Sequence, residues 1–474
     1  MFKEYLRSFK DVIKNFSYTL TYQILALILP IITVPYVTRV LNQNLVGLNS
    51  IVQANASYFE LVGMLGITLL GPREIAKCLG NKEKLTQTFF SIYKIQFFLH
   101  LIVMAVYVIF VTLTSREQLA YFYLIYLYSY MFDISWLFIG IEDFKNIAIR
   151  NVFVRLLSFA LLFIVVRNDQ DIFIYVATLY VPSILINIYM WIVALKKVVT
   201  FRPQRGINLY WLKESVSLLV PQIASSIYTM LDKTVLGIFS TYSMAAVYTQ
   251  GQTLLRLAYA FAASFCRVMS PRLSNCIERK DEDDVYKYMR MSAHVVSAIS
   301  FALFFGVIAL ARIFVAWYLP SGYEKTADVL LICAPIIIMI SGANLISIEF
   351  LIPLGQQRKY TISVIAAAIV NLILNFTLAP LYGVYGVCIG SVAAETIGFI
   401  IQLFYAKSYL NYKRIFKGIH VYIIAGLIMY FILRYIQRNM SPTFANIAIL
   451  IIAGTTVYFF SVFVFIKVKK GLTK

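Results

Sequence analysis

The sequence predicts an all-α polytopic membrane protein of about 14 transmembrane helices, arranged as two pseudo-symmetric six-helix bundles plus two C-terminal helices. Three observations carry that expectation. Hydrophobic residues make up 61% of the 474 and charged residues only 14%, against about 45–50% and about 25% in a soluble globular domain. The apolar residues fall in long runs without strict alternation, which suits spanning helices of about 20 residues rather than barrel strands. The 42 Lys and Arg are spread unevenly between alternate loops. A soluble enzyme, a disulfide-stapled secreted domain and a disordered chain are excluded.

In chain order, the apolar runs fall at 16–41, 45–70, 86–113, 119–140, 146–167, 171–197, 213–239, 243–269, 288–315, 327–353, 360–380, 384–406, 415–437 and 444–467. The first extends past the length of a signal-peptide core and lacks a small-residue cleavage site, so a cleavable signal is not expected. Pro30 and Pro35 in the first helix, Pro221 in the seventh, and Pro335 and Pro353 in the tenth are candidate interruptions. The cysteines (Cys78, Cys266, Cys276, Cys333, Cys388) show no CxxC spacing and read as small core residues.

Orientation follows from the loops. With the N-terminus inside, the inside segments hold 31 of the cations and the outside loops and helix ends only seven. The positive-inside rule then places both termini in the cytoplasm. The net charge of +20 is thus explained by topology rather than by nucleic acid.

A weak internal repeat is visible. Gly71-Pro72-Arg73 and Ser270-Pro271-Arg272 end the second and eighth helices at an offset of 199, which also maps Gln53 onto Gln252. Six helices per half is an even number, so the repeat is parallel, with its axis along the membrane normal. The expected organisation is a bundle over 1–198, a basic linker over 199–212, a second bundle over 213–407 and two added helices over 408–474. Two such halves predict alternating access with a site near the midplane.

A charge at membrane depth costs about 2.5–3.5 kcal/mol on insertion scales, so each needs a reason. The first half holds Glu60, Asp133 and Arg155; Gln53, Ser57 and Glu60 share one helix face. Asp133 and Arg155 lie at matched depth on consecutive helices and are candidates to pair. The second half holds Asp232, Lys233, Arg256, Glu395 and the Asn371/Asn375 pair. Gln252 and Arg256 share a face. Lys94, Glu349 and Arg39 lie nearer helix ends and suit snorkelling to the interface.

The cations favour an anionic substrate, since phosphates are met by Arg and Lys. The carboxylates are candidates to hold those cations or to accept a coupling ion, H+ or Na+. No other cofactor is expected. A phosphate-binding GxxxxGK[ST] loop is absent. Asp281-Glu282-Asp283-Asp284 reads as a solvated acidic loop rather than a metal site, and His100, His294 and His420 as structural or interfacial.

Several stretches together resemble a known family: VPYVTRVL (34–41), LGITLLGPREIAK (65–77), FDISWLFIGIEDFKNIAIRN (132–151), VPQIASSIYTMLDKTVLG (220–237), SPRLSN (270–275) and LIPLGQQRKYTISVIAAAIVNLILNFTLAP (351–380). They are similar to the Wzx-type oligosaccharide repeat-unit flippases of the multidrug/oligosaccharidyl-lipid/polysaccharide exporter superfamily. The matches run in family order from about residue 20 to 405. The resemblance implies a bacterial inner-membrane flippase that moves polyprenyl-diphosphate-linked oligosaccharide to the outer leaflet for capsule, exopolysaccharide or related glycan assembly, alongside polymerase machinery. It implies a central cationic cavity onto which Arg39, Arg73 and Lys233 map, joined by Arg155 and Arg256 from the depth argument. One departure stands out. The family's YEQAEK-like run is here Tyr248-Thr249-Gln250-Gly251-Gln252-Thr253, with Arg256 nearly one turn beyond the lost lysine. The alternatives are a multidrug exporter of the same superfamily, a peptidoglycan-precursor flippase, or an integral-membrane enzyme, the last disfavoured by the short outside loops.

Overall fold

A computed structural model describes residues 25, 28–114, 116–200 and 209–471. The basic residues before position 15 and residues 201–208 of the expected linker lie outside that range. Every regular element among the described residues is helical. In chain order these are α1 (Ile28–Val40), α2 (Gln43–Met64), α3 (Ile67–Ala76), α4 (Lys82–Thr114), α5 (Gln118–Phe122), α6 (Leu124–Met131), α7 (Ser135–Gly140), α8 (Phe144–Val165), α9 (Ile172–Val193), α10 (Leu209–Phe239), α11 (Tyr242–Glu278), α12 (Glu282–Tyr318), α13 (Lys325–Cys333), α14 (Pro335–Ile346), α15 (Gln357–Tyr382), α16 (Val384–Ala406), α17 (Tyr412–Ile415), α18 (His420–Ile436) and α19 (Phe444–Gly471).

Ten helical segments among the described residues are long and apolar enough to cross a membrane. The remaining expected positions are occupied by α1, which is shorter, and by α2–α3, α10 and α11, which are richer in polar residues.

The interruptions differ from those expected. Pro30 and Pro35 sit within the continuous α1, and Pro221 within the continuous α10. Neighbouring helices in a membrane protein satisfy the backbone groups that a proline frees. Pro335 does break its span, standing at the start of α14, and Pro353 falls in the turn after a π-helical stretch, Ser347–Leu351. Three further breaks carry no proline. Leu65 and Gly66 both take left-handed backbone, with φ of 42° and 71°, between α2 and α3; only glycine adopts that conformation without steric cost. The fourth span is broken at Tyr123 and again across 132–134, giving α5, α6 and α7.

The chain divides into two compact units, Met1–Met230 and Leu231–Lys474. The division falls inside α10. In the first unit a core of Phe89, Ile75, Trp136, Leu137 and Phe138 joins α3, α4 and α7. Gly71 makes that approach feasible: a Cβ there would stand 2.4 Å from the Trp136 ring.

In the second unit, Gly386 and Gly390 let α16 lie against α15, where added Cβ atoms would meet Leu378 O at 2.3 Å and Asn375 Oδ1 at 2.5 Å. The two C-terminal helices belong to this unit. Tyr458 donates to Ala298 O (2.9 Å) and Gln437 to Ala309 O (3.0 Å), fixing them to α12.

Candidate functional site

The first unit encloses a cavity of about 360 Å³ lined from α1, α6, α8 and α9 and the residues just after α6. Its depth comes from the broken fourth span. Irregular backbone at membrane depth is tolerated only where protein or a wet cavity satisfies its polar groups. Gln96, fully buried on α4, supplies much of that support. Its amide donates to Tyr130 O (3.0 Å) and Asp133 O (2.9 Å), with a longer contact to Met131 O (3.4 Å), and its oxygen accepts from the Trp136 indole (2.9 Å). Asn187 donates to Ser129 O (2.8 Å) and Trp191 to Phe132 O (3.1 Å).

This break presents Asp133 to the cavity, and here the expected pairing is corrected. Asp133 forms an ion pair with Arg150, not with Arg155. The two breaks within 119–140 make depth non-linear in residue number. Arg155 lines the same cavity, about 7.5 Å further along α8 at 1.5 Å per residue. Glu60 lies within electrostatic reach of Asp133, beside Tyr126. Its helix-face neighbours are tied to tyrosines as well: Gln53 donates to Tyr180 Oη (3.1 Å), and Ser57 Oγ lies 3.3 Å from Tyr126 Oη.

Arg39 and Arg73 do not line this cavity. Arg39 is exposed and donates back to Pro35 O (3.0 Å). Arg73 is compensated twice, by Glu74 (2.8 Å) and Glu214 (3.0 Å). Glu74 also meets Lys77 (2.8 Å). Burial pushes the Glu74 carboxyl up, but the Lys77 ammonium and the Arg73 guanidinium outweigh it and hold it below the usual carboxylate range. Glu214 and Glu74 hold the Arg73 guanidinium above its ordinary value.

The second unit gathers its polar groups around Asp232. This buried carboxylate accepts from Tyr248 on α11, from Asn371 (3.1 Å) and Asn375 (2.6 Å) on α15, and from Ser391 (2.8 Å) on α16. Gln252 in turn donates to Tyr248 Oη (2.9 Å). All four donors are neutral. Asn371 and Asn375 were legible as an i, i+4 face; Tyr248 and Ser391 were not, because a tyrosine or serine in an apolar run has no distinctive pattern.

The adjacent Lys233 is half-buried and lies within electrostatic reach of Arg256, which is exposed. Among the described residues neither cation makes an ion pair within 4 Å, in contrast to Arg73 and Arg150. Glu395 lies one turn beyond Ser391 on α16 and is not one of the partners of Asp232.

Glu349 is a second correction. It is fully buried rather than snorkelling, because the π-helical turn directs it into the core of Cys266, Met289 and Leu345. Ser292 and Cys266 are its polar neighbours, and neither carboxylate oxygen is held in hydrogen-bond geometry. The acidic run at 281–284 starts α12, where Asp281 caps the helix and Asp283 meets Arg414 (2.9 Å). Among the described residues no three His, Cys, Asp or Glu side chains gather as a metal site.

Residues 12–277, more than half of the chain, match the polysaccharide biosynthesis protein family. The chain belongs to that family. The MatE family also matches, over residues 218–377. Two provisionally named O-antigen transporters are similar to this family member, from Shigella dysenteriae at 26% identity and Escherichia coli (strain K12) at 23%. The alignments cover 80% of this chain, and 95% and 93% of those proteins. The solved structure of lipid II flippase MurJ, in an inward closed conformation, has the same fold. Its TM-score is 0.76 at 17% identity, over 98% of this chain and 100% of that one. These relatives carry the names of transporters and flippases, not of enzymes.

Proposed function

We propose that this family member is a flippase for polyprenyl-diphosphate-linked oligosaccharide, moving it from the cytoplasmic to the outer leaflet for cell-surface polysaccharide assembly. One observation carries the reading. Lys233 lies within electrostatic reach of Arg256, and neither makes an ion pair among the described residues, while Arg73 and Arg150 are compensated. A diphosphate bears about two negative charges and loses its hydration in a membrane; cations already neutralised by carboxylates offer it little. A drug exporter for cations would show the opposite sign. The names of the relatives support the same substrate class.

In this reading transport proceeds by alternating access in the bacterial inner membrane, with fourteen spanning helices, both termini cytoplasmic and polymerase machinery as a partner. The two pseudo-symmetric bundles over 1–198 and 213–407, the linker 199–212 and the added helices 408–474 are part of it. Asp232 is the coupling group. Four neutral donors hold its carboxylate without cancelling its charge, leaving that charge to exchange with H+ or Na+. Arg39, Arg73 and Arg155 then serve access and support rather than the main phosphate contact, and Glu60 and Glu395 are subsidiary acidic groups.

The test is surface glycan in a flippase-null strain, with expression and membrane insertion checked by blot. Lys233→Glu and Arg256→Glu should abolish surface glycan, and Lys233→Arg should retain part of it. Full surface glycan from both glutamate variants at normal expression would overturn the reading.

A further inference from the structure

The cavity of the first unit is not explained by binding a diphosphate. Its Arg150 is paired with Asp133, and Arg155 has a partner of its own, so among the described residues the wall shows no unpartnered cation. What it offers instead is a mixture of unmet hydrogen-bonding groups. Among its lining residues, Arg150 Nε, Ser158 Oγ and Asn187 Oδ1 are buried and have no hydrogen-bond partner among the described residues. Asn187 is only 1% exposed. The first of these atoms only donates, the third only accepts, and the hydroxyl does both. Phosphate and carboxylate groups accept only, and would leave Asn187 Oδ1 unmet beside a second acceptor, Asp133. An apolar tail would satisfy none of them.

The same wall carries flat apolar surface: the rings of Tyr130, Phe159, Tyr175 and Tyr180 line it. A ligand that fits must therefore give and accept hydrogen bonds along its edge and present C–H faces to aromatic rings. A neutral sugar ring has that chemistry. At about 360 Å³ the cavity is near the low end of the range of small-molecule pockets, the size of one sugar ring rather than an oligosaccharide. We infer that this cavity docks a single uncharged sugar residue of the carried glycan. The inference rests on the flippase reading for its ligand class, and adds a recognition site separate from Lys233 and Arg256.

Full-length protein in nanodiscs is titrated with free glucose, galactose, rhamnose, N-acetylglucosamine, N-acetylgalactosamine and glucuronic acid, with binding read by saturation-transfer NMR. At least one neutral sugar should bind in the millimolar range and glucuronic acid should not. Ser158→Ala should weaken that binding at least tenfold. Ser158 Oγ has no partner among the described residues, so this change reads the ligand without removing a described hydrogen bond. Ser158→Phe, which fills the space, should abolish binding, with thermal stability confirming that each variant is folded. Absence of binding by every neutral sugar means that the cavity holds only water and overturns the inference. So does preference for glucuronic acid, or a neutral-sugar affinity unchanged in both variants. Binding is measured without transport, so these failures are distinct from a failure of the flippase reading, which shows as surface glycan surviving Lys233→Glu.

Discussion

Replacing Gln96 by leucine tests whether one side chain supports the broken span. The change keeps the volume roughly constant and removes every polar contact of a fully buried residue. Three well-formed hydrogen bonds disappear: those to Tyr130 O at 3.0 Å and Asp133 O at 2.9 Å, and that from the Trp136 indole at 2.9 Å. A hydrogen bond between membrane helices averages about 0.6 kcal/mol, with a maximum near 1.7. A stranded buried donor or acceptor costs about 1–3 kcal/mol. Tyr130 O keeps a second donor in the Asp133 amide (3.1 Å), so the indole N–H and Asp133 O are the two groups left alone. Their sum is about 2–6 kcal/mol. At roughly 2–4 °C per kcal/mol for a unit of this size, the melting temperature of detergent-purified protein should fall by about 4–24 °C. Trp136→Phe, which removes one of the three bonds and leaves the amide oxygen short of a donor, should cost about a third as much. A Gln96→Leu melting temperature within about 1 °C of the native protein would refute the reasoning: the freed carbonyls would then be satisfied from elsewhere.

Two further outcomes are expected. Asp133→Asn and Arg150→Gln should each lower folded yield, since breaking a buried pair costs about 3–5 kcal/mol, and the double variant should recover part of the loss, whereas Asp133→Asn with Arg155→Gln should be additive; thermal melts of the full cycle decide between the partners. Glu349→Gln should be neutral or stabilising, because a carboxyl without hydrogen-bond partners gains nothing from its capacity to ionise in an apolar core, and a loss of more than about 2 kcal/mol in the same melts would show that its acidic proton is required by the fold.

The helical architecture was legible because hydrophobicity alone determines which segments enter a bilayer, and the apolar runs from 86–113 to 444–467 fall on helices within a few residues. The breaks were less so. A proline marks a helix end in water, where freed backbone groups must find a new partner, but Pro30, Pro35 and Pro221 lie in helices that continue through them. The break at 132–134 is held instead by tertiary partners such as Gln96, whose role depends on which carbonyls the fold brings to it. Charge was legible as residue type and not as partnership. Asp133, Asp232, Lys233 and Arg256 stood out as expensive, yet that Asp133 belongs with Arg150, that Arg73 belongs with Glu214, and that Lys233 and Arg256 make no ion pair among the described residues are properties of three-dimensional neighbours. Glu349 shows the limit clearly. Counting residues from a helix end placed it near the interface, and a π-helical turn rotated it inward.

The separation between charge and hydroxyl chemistry has a consequence for specificity. Every polyprenyl diphosphate presents the same head-group charge, so cations that met it would attract all such lipids equally and select none. Selection among glycans must come from groups that sense hydroxyl positions, because leaving a buried donor or acceptor unmet costs far more than a misplaced apolar contact. The first unit supplies such groups in Ser158, Asn187 and Arg150, and supplies them beside a paired, electrically neutral Asp133–Arg150 couple. That neutrality matters. An unpaired arginine in the cavity would bind the diphosphate of any cargo and mask the sugar, whereas the pair fixes the guanidinium and leaves its Nε to read a neutral ligand.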